Sequence, residues 1–98
     1  MLKYFELSLE ADQDLEEIFD YTYVEFGVDQ ALKYVSSFDD VFQSIVQNPE
    51  IGRERNEIRE NLRSISKEKH LIFYRVLDDR IRIVRILHGS KDLLKQFS

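Results

Sequence analysis

The residues best placed to do chemistry are the arginines and lysines spaced along the second half of the chain. Arg53, Arg55, Arg59, Arg63, Lys67, Lys69, Arg75, Arg80, Arg82, Arg85 and Lys91 form this file, and arginine predominates in it. A guanidinium presents a planar fork of donors that matches carboxylates and phosphates, so the file points either to an anionic partner or to solvated faces. Only two histidines are present, His70 and His88. His88 stands beside Gly89, where a side chain is expected to be exposed and the backbone open, and on its own it reads as a structural or surface histidine.

Other routes to catalysis find no support. None of the serines lies in a G-x-S-x-G elbow, and three scattered glycines cannot build a phosphate loop. The carboxylate pairs Glu16/Asp20 and Asp14/Glu17 read as the solvated face of a helix. Cysteine is absent, which excludes disulfides and thiolate metal sites and fits a reducing compartment. A metal would depend mostly on carboxylates, and no motif groups them, so neither a metal nor a cofactor is expected.

These residues belong to a chain of 98 amino acids, the length of one domain, taken here as residues 1–98. The net charge of −5 conceals a division. Residues 1–50 hold two basic side chains against twelve acidic ones, and residues 51–98 hold twelve basic against seven acidic. A pI near 5.0 argues against nucleic acid for the chain as a whole, yet its second half carries the opposite sign. The first six residues are too few and too charged for a signal peptide, and no uncharged stretch approaches the ~20 residues of a membrane span. A cytoplasmic protein with no membrane partner is expected.

The elements that must position the basic file follow from periodicity. Tyr4–Leu9 is a short strand candidate. Ala11, Leu15, Ile18, Phe19, Thr22 and Phe26 then recur at helical spacing, with Ser8 placed to cap the helix, Glu10, Asp12 and Asp14 near its positive end, and Gly27 to end it. Asp29 is expected to cap a second helix, whose apolar face runs from Ala31 to Val46 before Pro49 stops it. With one residue between Gly27 and that cap, the helices form a tight antiparallel hairpin. After a polar connection around Ile51–Glu57, strands are predicted at Leu62–Ser66, His70–Val76 and Arg80–His88. The alternation of the last slips at Val84, which means a bulge or a strand covered on both faces. Phe73 and Tyr74 are adjacent in a central strand, so one belongs to the core and the other packs against the tail on the opposite face. Lys91–Phe97 is a short amphipathic helical tail. The fold class is α+β: an N-terminal strand and an antiparallel two-helix hairpin packed on a three- to four-stranded antiparallel sheet, in the order β-α-α-β-β-β.

Pro49-Glu50-Ile51-Gly52-Arg53-Glu54-Arg55, Leu62-Arg63-Ser64, His70 to Val76, and Ile83-Val84-Arg85-Ile86-Leu87-His88-Gly89 together resemble the RelE/ParE toxin superfamily, and its ParE branch most. The spacings Ser8…Ala11…Asp14-Leu15…Ile18…Tyr21 and Gly27…Ala31…Tyr34 are similar to the same branch, so the resemblance covers essentially the whole chain. It implies the toxin of a type II toxin–antitoxin pair, neutralised by a small antitoxin whose C-terminal segment folds onto it as a helix in a groove or as an added strand. For the ParE branch it implies inhibition of DNA gyrase, trapped on cleaved DNA, without catalysis. The residues then expected to contact target or antitoxin are Arg53, Arg55, Arg59, Arg63, Arg85, His88 and Lys91.

The RelE branch cuts ribosome-bound mRNA with basic residues and a C-terminal tyrosine, or with a Glu/Arg/His/Tyr group. Here Arg63 and His88 fall near the expected places, and Glu54 or Glu57 would stand in for the acid. Gly89 follows His88, the last twenty residues lack tyrosine, and no lysine pair appears between Arg53 and Arg63. These departures weigh against nuclease activity. A toxin fold that keeps only antitoxin binding is the third reading, suggested by the acidic drift of the helical half.

Overall fold

The computed structural model describes residues 2–97. Strand β1 (Tyr4–Leu7) leads directly into Ser8, whose hydroxyl accepts the Ala11 N–H at 3.0 Å and caps helix α1 (Leu9–Phe26). Gly27, at φ +93°, ends α1 and joins it to α2 (Val28–Gln47) with no other residue between them. A side chain rarely adopts that backbone angle, which is why glycine stands at this junction. Asp29 does not cap α2 as expected. Gly27 occupies the cap position without a side-chain bond, and Asp29 falls within the first turn. Pro49 stops α2 as expected, with Asn48 closing on the Ser44 carbonyl at 2.9 Å.

Strands β2 (Arg53–Glu54), β3 (Arg63–Lys67), β4 (His70–Val76) and β5 (Arg80–His88) follow, then a one-turn helix α3 (Leu93–Gln96). The sheet order is β1-β5-β4-β3-β2. Sequence reasoning undercounted this sheet and simplified its direction. The polar connection supplies β2, too short to show a period, and β1 lies parallel to β5 with Tyr4 opposite Arg80. The slip at Val84 is a bulge: Phe73 pairs with Arg85 and Tyr74 with Ile83, leaving Val84 without a partner.

The bulge lets β5 serve two cores. Ile81, Ile83 and Ile86 pack with Ile72 and Tyr74 beneath Phe38, Phe42 and Ile45 of α2 and Ala11 and Ile18 of α1. On the other face Leu87 joins Leu62 and Phe73, covered by Ile58, Val84, Leu93 and Phe97. Phe73 meets Phe97 edge-on at 4.9 Å, so the tail packs on this aromatic as expected.

Helix α1 also finishes the sheet. Beyond Ile83 strand β5 has no neighbour on the β1 side, and α1 satisfies its backbone instead. Ser8 donates to the carbonyls of Ile83 (2.9 Å, from N–H) and Val84 (2.7 Å, from the hydroxyl), and the Ile86 N–H donates to Asp14 Oδ2 at 2.9 Å. Arg85 then grips both carboxylate oxygens of Asp14, at 2.9 Å from Nε and 3.0 Å from Nη2. The Asp14 bond holds the Arg85 guanidinium above its ordinary pKa, so its charge is permanent. Asp14 is 8% exposed and not part of a solvated face, contrary to expectation. Phe26, placed in the buried stripe by its spacing, is exposed, because α1 runs on past the edge of the sheet.

Removing this carboxylate leaves a half-buried guanidinium and a buried N–H without a partner. Asp14→Ala is expected to lower stability by about 3 kcal/mol, read as a shift in urea midpoint at unchanged slope. The apolar pair Asp14→Leu with Arg85→Met, which removes both charges, should lose less than Asp14→Ala alone.

Candidate functional site

The basic residues singled out by sequence fall in separate places. At one end of the sheet Arg53 is exposed on β2, opposite Ser64 of β3. Arg55 donates to Glu57 at 2.8 Å and to the Ser64 hydroxyl at 3.0 Å, with its guanidinium 5.6 Å from the Phe73 ring. Arg63 donates to the Gly52 carbonyl at 2.7 Å and lies 3.4 Å from Glu54. Arg59 covers the Phe97 ring at 5.2 Å and donates to the Phe97 carbonyl at 3.0 Å, holding the tail on the sheet. Arg85 is held by Asp14 under α1.

At the opposite end His88 and Lys91 border a groove of about 830 Å³ between the helical hairpin and the ends of β4 and β5. It is lined by Glu17, Ile18, Tyr21 and Phe26 of the hairpin and by Lys69, Ile86, Leu87 and Lys91 from the side of the sheet. Both histidines meet here. His70 and His88 are direct cross-strand partners, with ring centroids 5.5 Å apart. Tyr34 reaches across from α2, its hydroxyl 2.9 Å from His70 Nδ1, and Ser90 holds His88 Nδ1 at 2.7 Å. Burial pushes the His70 pKa down, and His88 pushes it the same way, so the imidazole is kept neutral. Burial first, and then Glu68, pushes the Tyr34 hydroxyl up, which keeps it a donor. No local pattern could have foretold Tyr34 meeting His70, thirty-six positions apart.

The alternative catalytic set does not assemble. Arg63 stands opposite Tyr74 with Glu54 beside it, whereas His88 stands opposite His70, four residues away along β4. That is about 13 Å along the strand, and two further strand spacings separate them laterally. No single scissile phosphate can touch Arg63, Glu54 and His88 together. Among the described residues no group of three or more His, Cys, Asp or Glu could hold a metal ion, and no helix is long and apolar enough to cross a membrane.

Comparison with known proteins shows the family. The profile of the family described as the ParE toxin of the type II toxin–antitoxin system parDE matches residues 5–93. The chain belongs to the ParE toxin family. It is 42% identical over 88 residues to Toxin ParE1 of Mycobacterium tuberculosis, covering 89% of this chain and 90% of that one. Toxin ParE1 of Caulobacter vibrioides is 33% identical over 89 residues, covering 91% and 92%. A solved structure described as the chromosomal ParDE TA system from P. aeruginosa superposes with a TM-score of 0.77 at 26% identity, over 90% of this chain and 96% of that one. The chain is thus a ParE toxin of a ParDE type II toxin–antitoxin system, within the RelE/ParE superfamily.

In this ParE toxin the run from Pro49 to Arg53 is built around one phenol. The Tyr74 hydroxyl donates to the Pro49 carbonyl and accepts the Gly52 N–H, both at 2.8 Å. A Cβ on Gly52 would sit 2.5 Å from that oxygen and 2.9 Å from the Ser64 carbonyl, so the glycine is required by close approach. Gly52→Ala is expected to cost about 1–3 kcal/mol through overpacking, and Tyr74→Phe a similar ~1–3 kcal/mol through two orphaned backbone groups. Chemical denaturation of each variant checks both.

The lowered His70 pKa makes a prediction of definite sign. Below its ordinary value of 6.5 the unfolded chain takes up a proton more readily than the folded one, so stability falls as pH drops from there through the folded-state value. Between about pH 7.5 and about pH 5.5, His70→Gln should therefore lose less Tm than the native chain. Equal losses would remove His70 from the account.

Proposed function

We propose that the chain acts as a toxin by binding DNA gyrase and holding it on cleaved DNA, with no catalysis of its own, in the cytoplasm. We propose also that a cognate antitoxin neutralises it by direct binding. The observation that carries this reading is the likeness to ParE toxins over almost the full chain, residues 5–93. The separation of His88 from Arg63 and Glu54 supports a binding role over cleavage of RNA. An antitoxin partner is supported by the ParDE pairing named for the P. aeruginosa structure.

The basic half of the molecule is the proposed antitoxin surface, drawn from Arg53, Arg55, Arg59, Arg63, Arg85, His88 and Lys91. Arg53, Arg59 and Lys91 are exposed and suit an acidic segment that folds on contact. The outer edge of β2 offers such a segment a strand to extend, and the groove beside His88 offers it a bed for a helix. Arg85 and Arg63, each bound within the chain, contribute by shaping these surfaces.

Adding the purified protein to gyrase should lower supercoiling in proportion to dose and let cleaved DNA accumulate. Unchanged supercoiling at large molar excess would overturn the reading, and codon-positioned cuts in translated mRNA would replace it with ribonuclease action.

A further inference from the structure

Helices α1 and α2 run beyond the sheet that they cover. The last buried residue of α1 is Thr22 and the first of α2 is Ala31, so the residues between them, around the Gly27 turn, stand clear of the core. Six large apolar side chains are exposed on this overhang or beside it: Tyr21, Tyr23, Val24, Phe26, Val28 and Leu32. Val24 is 79% exposed, Phe26 70% and Tyr21 67%, values that leave them almost nothing to contribute to folding. Exposed apolar residues scattered singly need no explanation, whereas a cluster of this size with aromatics in it marks a contact site.

The charge around the cluster says what kind of partner fits. Helix α1 and the first turn of α2 hold no lysine or arginine before Lys33, and Lys69 and Lys91 line the groove beside Tyr21 and Phe26 from the side of the sheet. Glu16, Glu17, Asp20, Glu25 and Asp29 are all exposed along the overhanging helices, and none is in a salt bridge among the described residues. Phosphate-rich surfaces are repelled by such a rim. A protein surface with an apolar recess ringed by lysine or arginine is complementary to it in both respects.

We infer that the hairpin tip is the surface by which this toxin docks on its protein target, seating Val24 and Phe26 in an apolar recess with a basic rim. The inference rests on the reading that the chain acts by binding a protein. Tyr21 and Phe26 also line the groove proposed above for the antitoxin, so an antitoxin helix seated there covers part of the tip and excludes the target from it. Gly27 suits this role, since it turns the chain in a single residue and sets the last turn of α1 next to the first of α2.

The test uses the full chain and a Val24→Ser/Phe26→Ser variant, with Tm recorded for both. Inhibition of gyrase supercoiling should weaken tenfold or more in the variant while its Tm stays that of the native chain. A second variant, Glu25→Gln/Asp29→Gln, removes only rim charge. It should bind purified gyrase more slowly at low salt, and the difference should vanish at high salt. This second variant also decides the matter if the first fails to fold. Equal inhibition by the native chain and both variants overturns the docking surface and leaves gyrase inhibition standing. If the native chain itself leaves gyrase untouched, the proposed function fails and growth on induction decides the surface. Arrest by the native chain that disappears with the tip variant upholds it for another protein target, whereas arrest unchanged in the variant, or absent from both, overturns it as well.

Discussion

A strand that extends past its neighbour leaves backbone donors and acceptors that must be satisfied some other way, and in this chain β5 outruns β1 beyond Ile83. Ser8 and Asp14 resolve this from the first two turns of α1. They occupy the edge positions that a longer β1 would have filled, and the carboxylate left over binds Arg85 through two further hydrogen bonds. The rest of the architecture depends on this substitution of a helix for a strand. It fixes the angle at which α1 leaves the sheet, and hence where α2 returns. It also blocks this stretch of β5 from pairing with another chain.

The bulge at Val84 is the second half of the same device. By inserting one residue it sends Ile86 into the core under the helices and Leu87 into the smaller core under the tail, so a single strand joins both layers. The tail itself is held by the Phe73–Phe97 contact, by Leu93 of the one-turn helix α3 in the same small core, and by Arg59 on the Phe97 ring. Arginines that look like a recognition surface in the sequence therefore do two kinds of work. Arg55, Arg59 and Arg85 hold parts of the chain together, while Arg53 and Lys91 face solvent.

Most of the architecture was legible because it is written in short-range patterns. The cap at Ser8, the stop at Gly27, the five-turn apolar face of α2 and the three later strands need only neighbours in sequence, and so does the slip at Val84. What failed to show depends on partners distant in the chain. Asp14 lies on the same helical stripe as Ala11 and Ile18, which was a usable signal, but its charge argued for solvent until Arg85 was placed beside it. The parallel pairing of β1 and the two-residue β2 carry no period of their own. The dispersal of Arg63 and His88 to opposite ends of the sheet follows from strand register, which spacing along the chain does not encode.

The parallel contact of β1 with β5 also has a kinetic meaning. Ser8 bonds to a residue 76 positions away, and Tyr4, Phe5 and Leu7 have no sheet to join until residues 80–83 are available. Closing so long a loop carries an entropic cost before any contact rewards it, and topologies dominated by such contacts fold slowly. The helical hairpin, being local, can form early, but the layer that orders it is completed last. A growing chain of this kind stays without a finished sheet until β5 emerges, so the two faces on which any partner would act come into being together and late.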